Sequence, residues 1–255
     1  MSEFIDVLIA RVLQLEVNLL AGRERMAAAT DDEALHDVRI AVRKLRSLLR
    51  PFRKMIEHDP LVNAAAALGR SSSPVRDSEV LLAELRRHPG MEAAVARRER
   101  ELPAQYQQLL RSAEALRLQH ALDLWPSFFR QTLHVEAPEN LKGYVTRQLQ
   151  KESERLSAAM ADPAHDRHRL RILIKRVRYC ADTYPALVKV SAKQVKALKR
   201  AQNALGAWHD RLQWLARAEQ EAELVPLVAV WRAELAQAQG RSDEALERLG
   251  EVFGG

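Results

Sequence analysis

Three observations predict an all-α protein. Leu, Ala, Arg, Glu and Gln dominate, aromatic residues make up 5% of the 255 positions and there are only 9 glycines, a composition that favours helix almost everywhere. Apolar residues recur at steps of three and four along most of the chain. A cationic amphipathic stretch over residues 36 to 50 returns 132 residues later. At 47% hydrophobic content the chain can bury a large core. The expected organisation is one domain over 1–255, made of two helical repeats at about 3–135 and 138–252.

Phe4, Val7, Leu8, Val12, Leu15 and Leu19 set the apolar period of a first helix over 3–29. Thr30-Asp31-Asp32-Glu33 has capping-box spacing, so a second helix starts near 31 and runs to about 57. Asp59-Pro60 opens a short helix over 61–69. Ser71-Ser72-Ser73-Pro74 reads as a loop whose serine caps a helix over 75–87. His88-Pro89-Gly90 is a break, and 91–119 is helical with a kink or restart at Pro103. Trp125-Pro126 and Ala137-Pro138 punctuate the middle, and 139–160 is one amphipathic helix. Asp162-Pro163 caps the helix that ends at Tyr184-Pro185, and Ser191 begins another toward Leu215. Two helices, about 220–239 and 242–252, close the chain, with Ser242-Asp243-Glu244 starting the last.

The repeated stretch carries the chemistry. His36, Arg39, Arg43, Arg46, Arg50 and Arg53 step by 3, 4, 3, 4 and 3, which makes one cationic stripe on a helix. Leu35, Val38, Val42, Leu45, Leu49 and Phe52 follow the same steps about 100° away. In the second copy His168, Arg171, Lys175 and Arg178 run beside Leu170, Leu173, Val177, Cys180 and Tyr184. Arg76-Asp77 follows the first copy and His209-Asp210 the second, at an offset of 133. That period is too long for a solenoid, so the expectation is two related four-helix-type bundles about a pseudo-two-fold.

Net charge is +6, but its distribution matters more. Residues 36–54 and 167–200 hold 18 Lys and Arg against only Asp37 and Asp182; the remainder has 22 of the 40 basic and 32 of the 34 acidic residues, a net of −10. Such segregation points to an anionic partner. Arg forks match phosphate oxygens and Lys adds compact charge, so both stripes suit a polyanion track. Lys193, Lys196 and Arg200 form a third basic set that reads equally as an extension of the track or as a solvated face. Arg76, Asp77 and Asp210 read as orienting or capping groups.

His36 and His168 can each join a phosphate site in protonated form, because an anion raises the imidazole pKa. Two histidines are half a tetrahedral ligand set, so no metal or other cofactor is expected. Cys180 lies on the apolar stripe and reads as a buried small hydrophobe. A lone cysteine fits a reducing cytoplasm. The start of the chain lacks an export signal and no apolar run reaches the roughly 20 residues of a membrane span, so a soluble, cytoplasmic protein is expected. Nucleotide-binding glycine loops, zinc-protease and serine-hydrolase motifs are absent from the sequence, and the stripes lack carboxylates to hold magnesium; binding without catalysis is the expectation. No aromatic interleaves the stripes, which counts against the alternative of nucleic-acid binding; general polyanion binding is a further alternative. Composition carries no signal of oligomeric state.

At His36 to Arg46, Arg76-Asp77 and His168 to Arg178 the sequence resembles the conserved histidine α-helical domain (CHAD) family, whose signature is a His-x-x-Arg-(x)3-[Arg/Lys]-x-x-Arg helix in each half. The resemblance covers essentially the whole chain. It implies a basic cleft between two helical bundles that binds inorganic polyphosphate, with phosphate or sulfate as smaller occupants, lined by His36, Arg39, Arg43, Arg46, His168, Arg171, Lys175 and Arg178. The expected role of such binding is recruitment of the protein to polyphosphate granules. Members are often fused to a tunnel-fold phosphatase domain, for which there is no room ahead of residue 30, so this chain looks like a stand-alone member. Ser72-Ser73 stands where the family usually has Leu-Gly, and His209 replaces the Arg before the second Asp.

Overall fold

The structure, a computed structural model, describes residues 2–29, 31–56, 59–136, 138–162 and 166–253. The expectations at Met1, Thr30, Ala137 and Pro163 lie outside these residues. Ten α-helices and two 3-10 segments, with no strand, make up the described residues. No helix among them is long and apolar enough to cross a membrane. The chain divides into two compact units, Met1–Val145 and Thr146–Gly255.

The first unit contains α1 (Ser2–Ala28), α2 (Ala34–Leu49), α3 (Pro60–Ser71), α4 (Ser73–Leu85), α5 (Glu92–Leu110) and α6 (Ala113–Glu136). Helix α2 packs between α1 and α3, α3 packs on α6, and α4 packs on α5. The apolar stripe of α2 is buried throughout, with Leu35, Val42, Leu45 and Leu49 at 3% exposure or less. That burial fixes the rotation of the helix and turns the adjoining cationic stripe outward. Phe52 meets Phe129 edge-on at 5.3 Å, and Trp125 stacks on Phe129 at 4.2 Å. Asp59 ties this cluster to a helix end: it accepts from Leu61 N at 2.8 Å and Val62 N at 3.3 Å, capping α3, and from Trp125 Nε1 at 3.0 Å.

Thr146–Gly255 carries most of α7 (Leu141–Met160), then α8 (Arg167–Thr183), α9 (Ala192–Ala218) and α10 (Val228–Phe253). Helix α9 packs against both α8 and α10. Their core joins Leu156, Leu170, Leu173, Ile174, Val177, Leu198, Leu205, Leu246 and Leu249. Cys180 is buried at 2% exposure. A full capping box starts α9, with Ser191 Oγ accepting from Gln194 N and Gln194 Oε1 accepting from Ser191 N.

Several boundaries differ from the sequence expectation. Helix α2 stops at Leu49 rather than near 57, because Pro51 cannot donate and the chain tightens into a 3-10 turn over Arg50–Phe52. Pro103 and Pro126 break nothing: α5 and α6 run through them. Buried neighbours Leu102, Trp125 and Phe129 hold the two helices in line despite the missing N–H. The α5–α6 break falls at Ser112, whose Oγ donates to Leu109 O at 2.7 Å and accepts from Ala115 N at 3.2 Å. Ser71 to Pro74 is not a loop. Ser72 alone separates α3 from α4, in helical conformation and with no side-chain cap bond. The last two expected helices are one, preceded by a 3-10 segment over Ala222–Leu227. Ser242 is buried inside α10 and donates to Ala238 O at 2.8 Å, so its hydroxyl is not a cap. Asp166 caps α8, accepting from His168 N at 2.8 Å.

Candidate anion-binding site

In the first unit the stripe of α2 meets the junction of α3 and α4. Arg39 Nη1 donates to Ser72 Oγ at 2.6 Å, to Gly69 O at 3.2 Å and to Ser73 Oγ at 3.3 Å, and Nη2 donates to Ser73 Oγ at 3.3 Å. These acceptors are neutral, so they fix the guanidinium without cancelling its charge. Burial pushes the Arg39 pKa down first; Asp77 attracts the charge, Arg76 and Arg43 repel it, and Glu79 attracts it more weakly. His36 and Arg43 are half-buried beside it and Arg46 is exposed. A Cβ on Gly69 would lie 3.4 Å from Arg46 Nη1, so the missing side chain leaves room for that guanidinium against α3. Arg50 begins the 3-10 turn, where the helical progression of the stripe ends.

Arg76 sits in the first turns of α4. Its Nη1 is 2.7 Å from Glu79 Oε2, and Tyr106 of α5 donates to Glu79 Oε1 at 2.6 Å. Burial and the Glu79 carboxylate push the phenol pKa up, so Tyr106 keeps its proton and stays a donor. Asp77 is exposed. Asp77 attracts the Arg39 charge, and Glu79, three residues on, pairs with Arg76.

In the second unit α8 buries Leu170, Leu173, Ile174, Val177 and Cys180, leaving His168 exposed and Arg171, Lys175 and Arg178 half-buried. Arg178 Nε is 3.6 Å from Asp182 Oδ2, and its guanidinium lies 5.2 Å from the Tyr179 ring centroid. Across from α8, the His209 ring of α9 is centred 5.9 Å from that of His168. His209 is held neutral, its pKa lowered to about 4 by burial and by the charges of Arg171, His168 and Lys175. Asp210 follows it, half-buried.

The structure thus brings His168, Arg171 and Lys175 together around His209. It does not bring in the third basic set. Lys193, Lys196 and Arg200 are exposed and lie about 140° to 180° round α9 from His209 by the helical period. Ser72, Ser73, Gly69, Glu79, Tyr106 and His209 are additional participants beyond the stripes. His209 left a sequence trace in standing 133 positions after Arg76, and Ser72-Ser73 left one as a departure from the family motif. Among the described residues, no three His, Cys, Asp or Glu side chains gather as a metal site would require.

Comparison with known proteins adds a family to this geometry. No curated protein matches the chain. Among solved structures, it is similar to the crystal structure of the CHAD domain from the plant Ricinus communis, at a TM-score of 0.74 and 22% identity over 98% of this chain and 91% of that one. The likeness is one of fold, all-helical in this chain. The family profile described as CHAD domain matches residues 11–219, a span that includes both stripes, and the chain belongs to the CHAD-domain family.

Proposed function

We propose that this protein binds inorganic polyphosphate without cleaving it, through the cationic stripes of α2 and α8, and that binding recruits it to polyphosphate granules. The CHAD family is associated with polyphosphate and triphosphate binding at a general level. The observation that carries the reading is Arg39: a half-desolvated guanidinium held by Ser72, Ser73 and Gly69 O, and so pre-aimed with its charge intact. Like charges four residues apart destabilise a helix by roughly 0.2 to 0.5 kcal/mol per pair, which a bound polyanion offsets. In this reading each stripe supplies its own cationic contacts to phosphate, the basis being the repeat of the motif in the sequence. Glu79 is committed to Arg76 and Tyr106, which favours holding over metal-assisted cleavage.

Titration calorimetry with polyphosphate of defined length, with DNA as competitor, tests the reading. Replacing Arg39, Arg43, Arg171 and Lys175 by Ala is expected to weaken binding by more than about tenfold. Replacing the exposed Arg100, Arg111, Arg232 and Arg248 is expected to change it little. Equal losses in the two sets reject the stripes as the site. Displacement by DNA at equal phosphate concentration turns the reading into general polyanion binding, and magnesium-dependent release of phosphate that the stripe variant loses turns it into catalysis. A fluorescent fusion that ignores granules while its purified form binds polyphosphate removes the recruitment step.

A further inference from the structure

His209 is the unusual group in the second unit. It is half-buried, its ring is centred 5.9 Å from that of His168, and Arg171 and Lys175 are the other charges acting on it from α8. On α9 its neighbours are Asp210 and Arg211, and Glu234 of α10 lies 3.2 Å from Arg211 Nε. Its counterpart by sequence offset is Arg76, a permanent cation paired with Glu79 in the first unit. The two units therefore present different chemistry at matching positions. One has a fixed charge. The other has a half-buried base beside the charges of α8.

We propose that His209 is a further binding residue for the condensed-phosphate ligand, and that it engages as an imidazolium, so that binding at α8 and α9 takes up a proton whereas binding at α2 and α4 does not. The inference rests on the polyphosphate reading above. Burial is the larger cause of the lowered pKa, and a phosphate chain across Arg171 and Lys175 neutralises the charges that add to it. Protonation then converts the ring nitrogen that was an acceptor into a second donor, suited to a phosphate oxygen. The energy for moving the proton comes from the ligand's differential affinity for the protonated site, so affinity and pH are linked reciprocally. With its pKa at about 4, free His209 is almost wholly neutral near neutral pH. Binding therefore tightens as pH falls below neutrality, by at most about tenfold per pH unit for one coupled proton.

The test is calorimetry of the full chain with polyphosphate near pH 6, about two pH units above the free-state value, in two buffers of different ionisation enthalpy. Protons carried by the ligand's own end groups are common to wild type and variants and cancel in the difference between proteins. The expected result is greater proton uptake in wild type than in His209→Gln, with the affinity of His209→Gln rising less on acidification. His209→Arg is expected to bind at neutral pH at least as tightly as wild type, with the same flattening. Imidazole NMR shifts of the wild-type chain, moving to the protonated position when polyphosphate saturates it, decide the matter even where a variant folds poorly. Equal proton uptake in wild type and His209→Gln, or a His209 ring that stays neutral in the complex, overturns the coupling and leaves polyphosphate binding intact. Failure of wild type to bind polyphosphate at any pH overturns both.

Discussion

Arg39 of α2 donates at 2.6 Å to the Oγ of Ser72, the single residue that separates α3 from α4. Ser72 is almost fully buried, at 1% exposure, so the cation of one helix is positioned by the junction of two others. Replacing Ser72 and Ser73 together by Ala removes three of the four bonds to the guanidinium while keeping every charge. The expected outcome is an unfolding free energy lower by about 1 to 2 kcal/mol. Polyphosphate affinity is expected to fall about three- to tenfold, because Arg39 is no longer aimed. Urea unfolding and calorimetry on the same protein check both parts.

His209 gives the ligand-free protein an acid-sensitive stability. Its folded pKa, about 4, lies below the ordinary histidine value of 6.5. As pH falls through 6.5 the unfolded chain takes up a proton that the folded chain refuses; stability drops across the window from 6.5 to about 4 and levels off below it. Denaturation midpoints measured across this window are expected to fall less in His209→Gln than in wild type.

Trp125 Nε1 donates to Asp59 Oδ2, a carboxylate at 3% exposure whose pKa burial has raised. Trp125→Phe strands that oxygen and is expected to cost about 1 to 3 kcal/mol at neutral pH. The lost bond is one of those holding the Asp59 pKa down, so the variant carboxyl titrates higher still. A folded pKa above the unfolded one adds stability at low pH that is lost as pH rises through it. The deficit of the variant is therefore expected to be smaller in acid than at neutrality, as paired unfolding curves can show.

Two helical glycines separate packing from propensity. A Cβ on Gly22 of α1 would stand 2.7 Å from Val38 Cγ2 of α2, whereas one on Gly240 of α10 would meet nothing within 4 Å. Alanine at either site gains helix propensity of about 1 kcal/mol. Gly240→Ala is expected to raise thermal stability by roughly that amount. Gly22→Ala is expected to lower it by about 1 to 3 kcal/mol, because α1 and α2 must separate.

The sequence alone determined the helical class and the outward cationic stripes of α2 and α8, because both rest on a local period. Leu35, Val42, Leu45 and Leu49 are buried as their spacing requires, and the arginines beside them follow. Tertiary structure decided what interrupts a helix and what surrounds a charge. Pro126 lies within α6 because Trp125 and Phe129 are locked against Phe52 and Asp59, more than sixty residues earlier in the chain. Ser242 lies fully buried within α10 and caps no helix start, and Ser72 orients Arg39 because α3 and α4 meet beside α2. The His209 pKa is lowered because the fold buries the ring and packs α9 against the charges of α8. Periodicity is a property of neighbours along the chain, whereas desolvation and charge act through space; a sequence displays the first, and the fold creates the second.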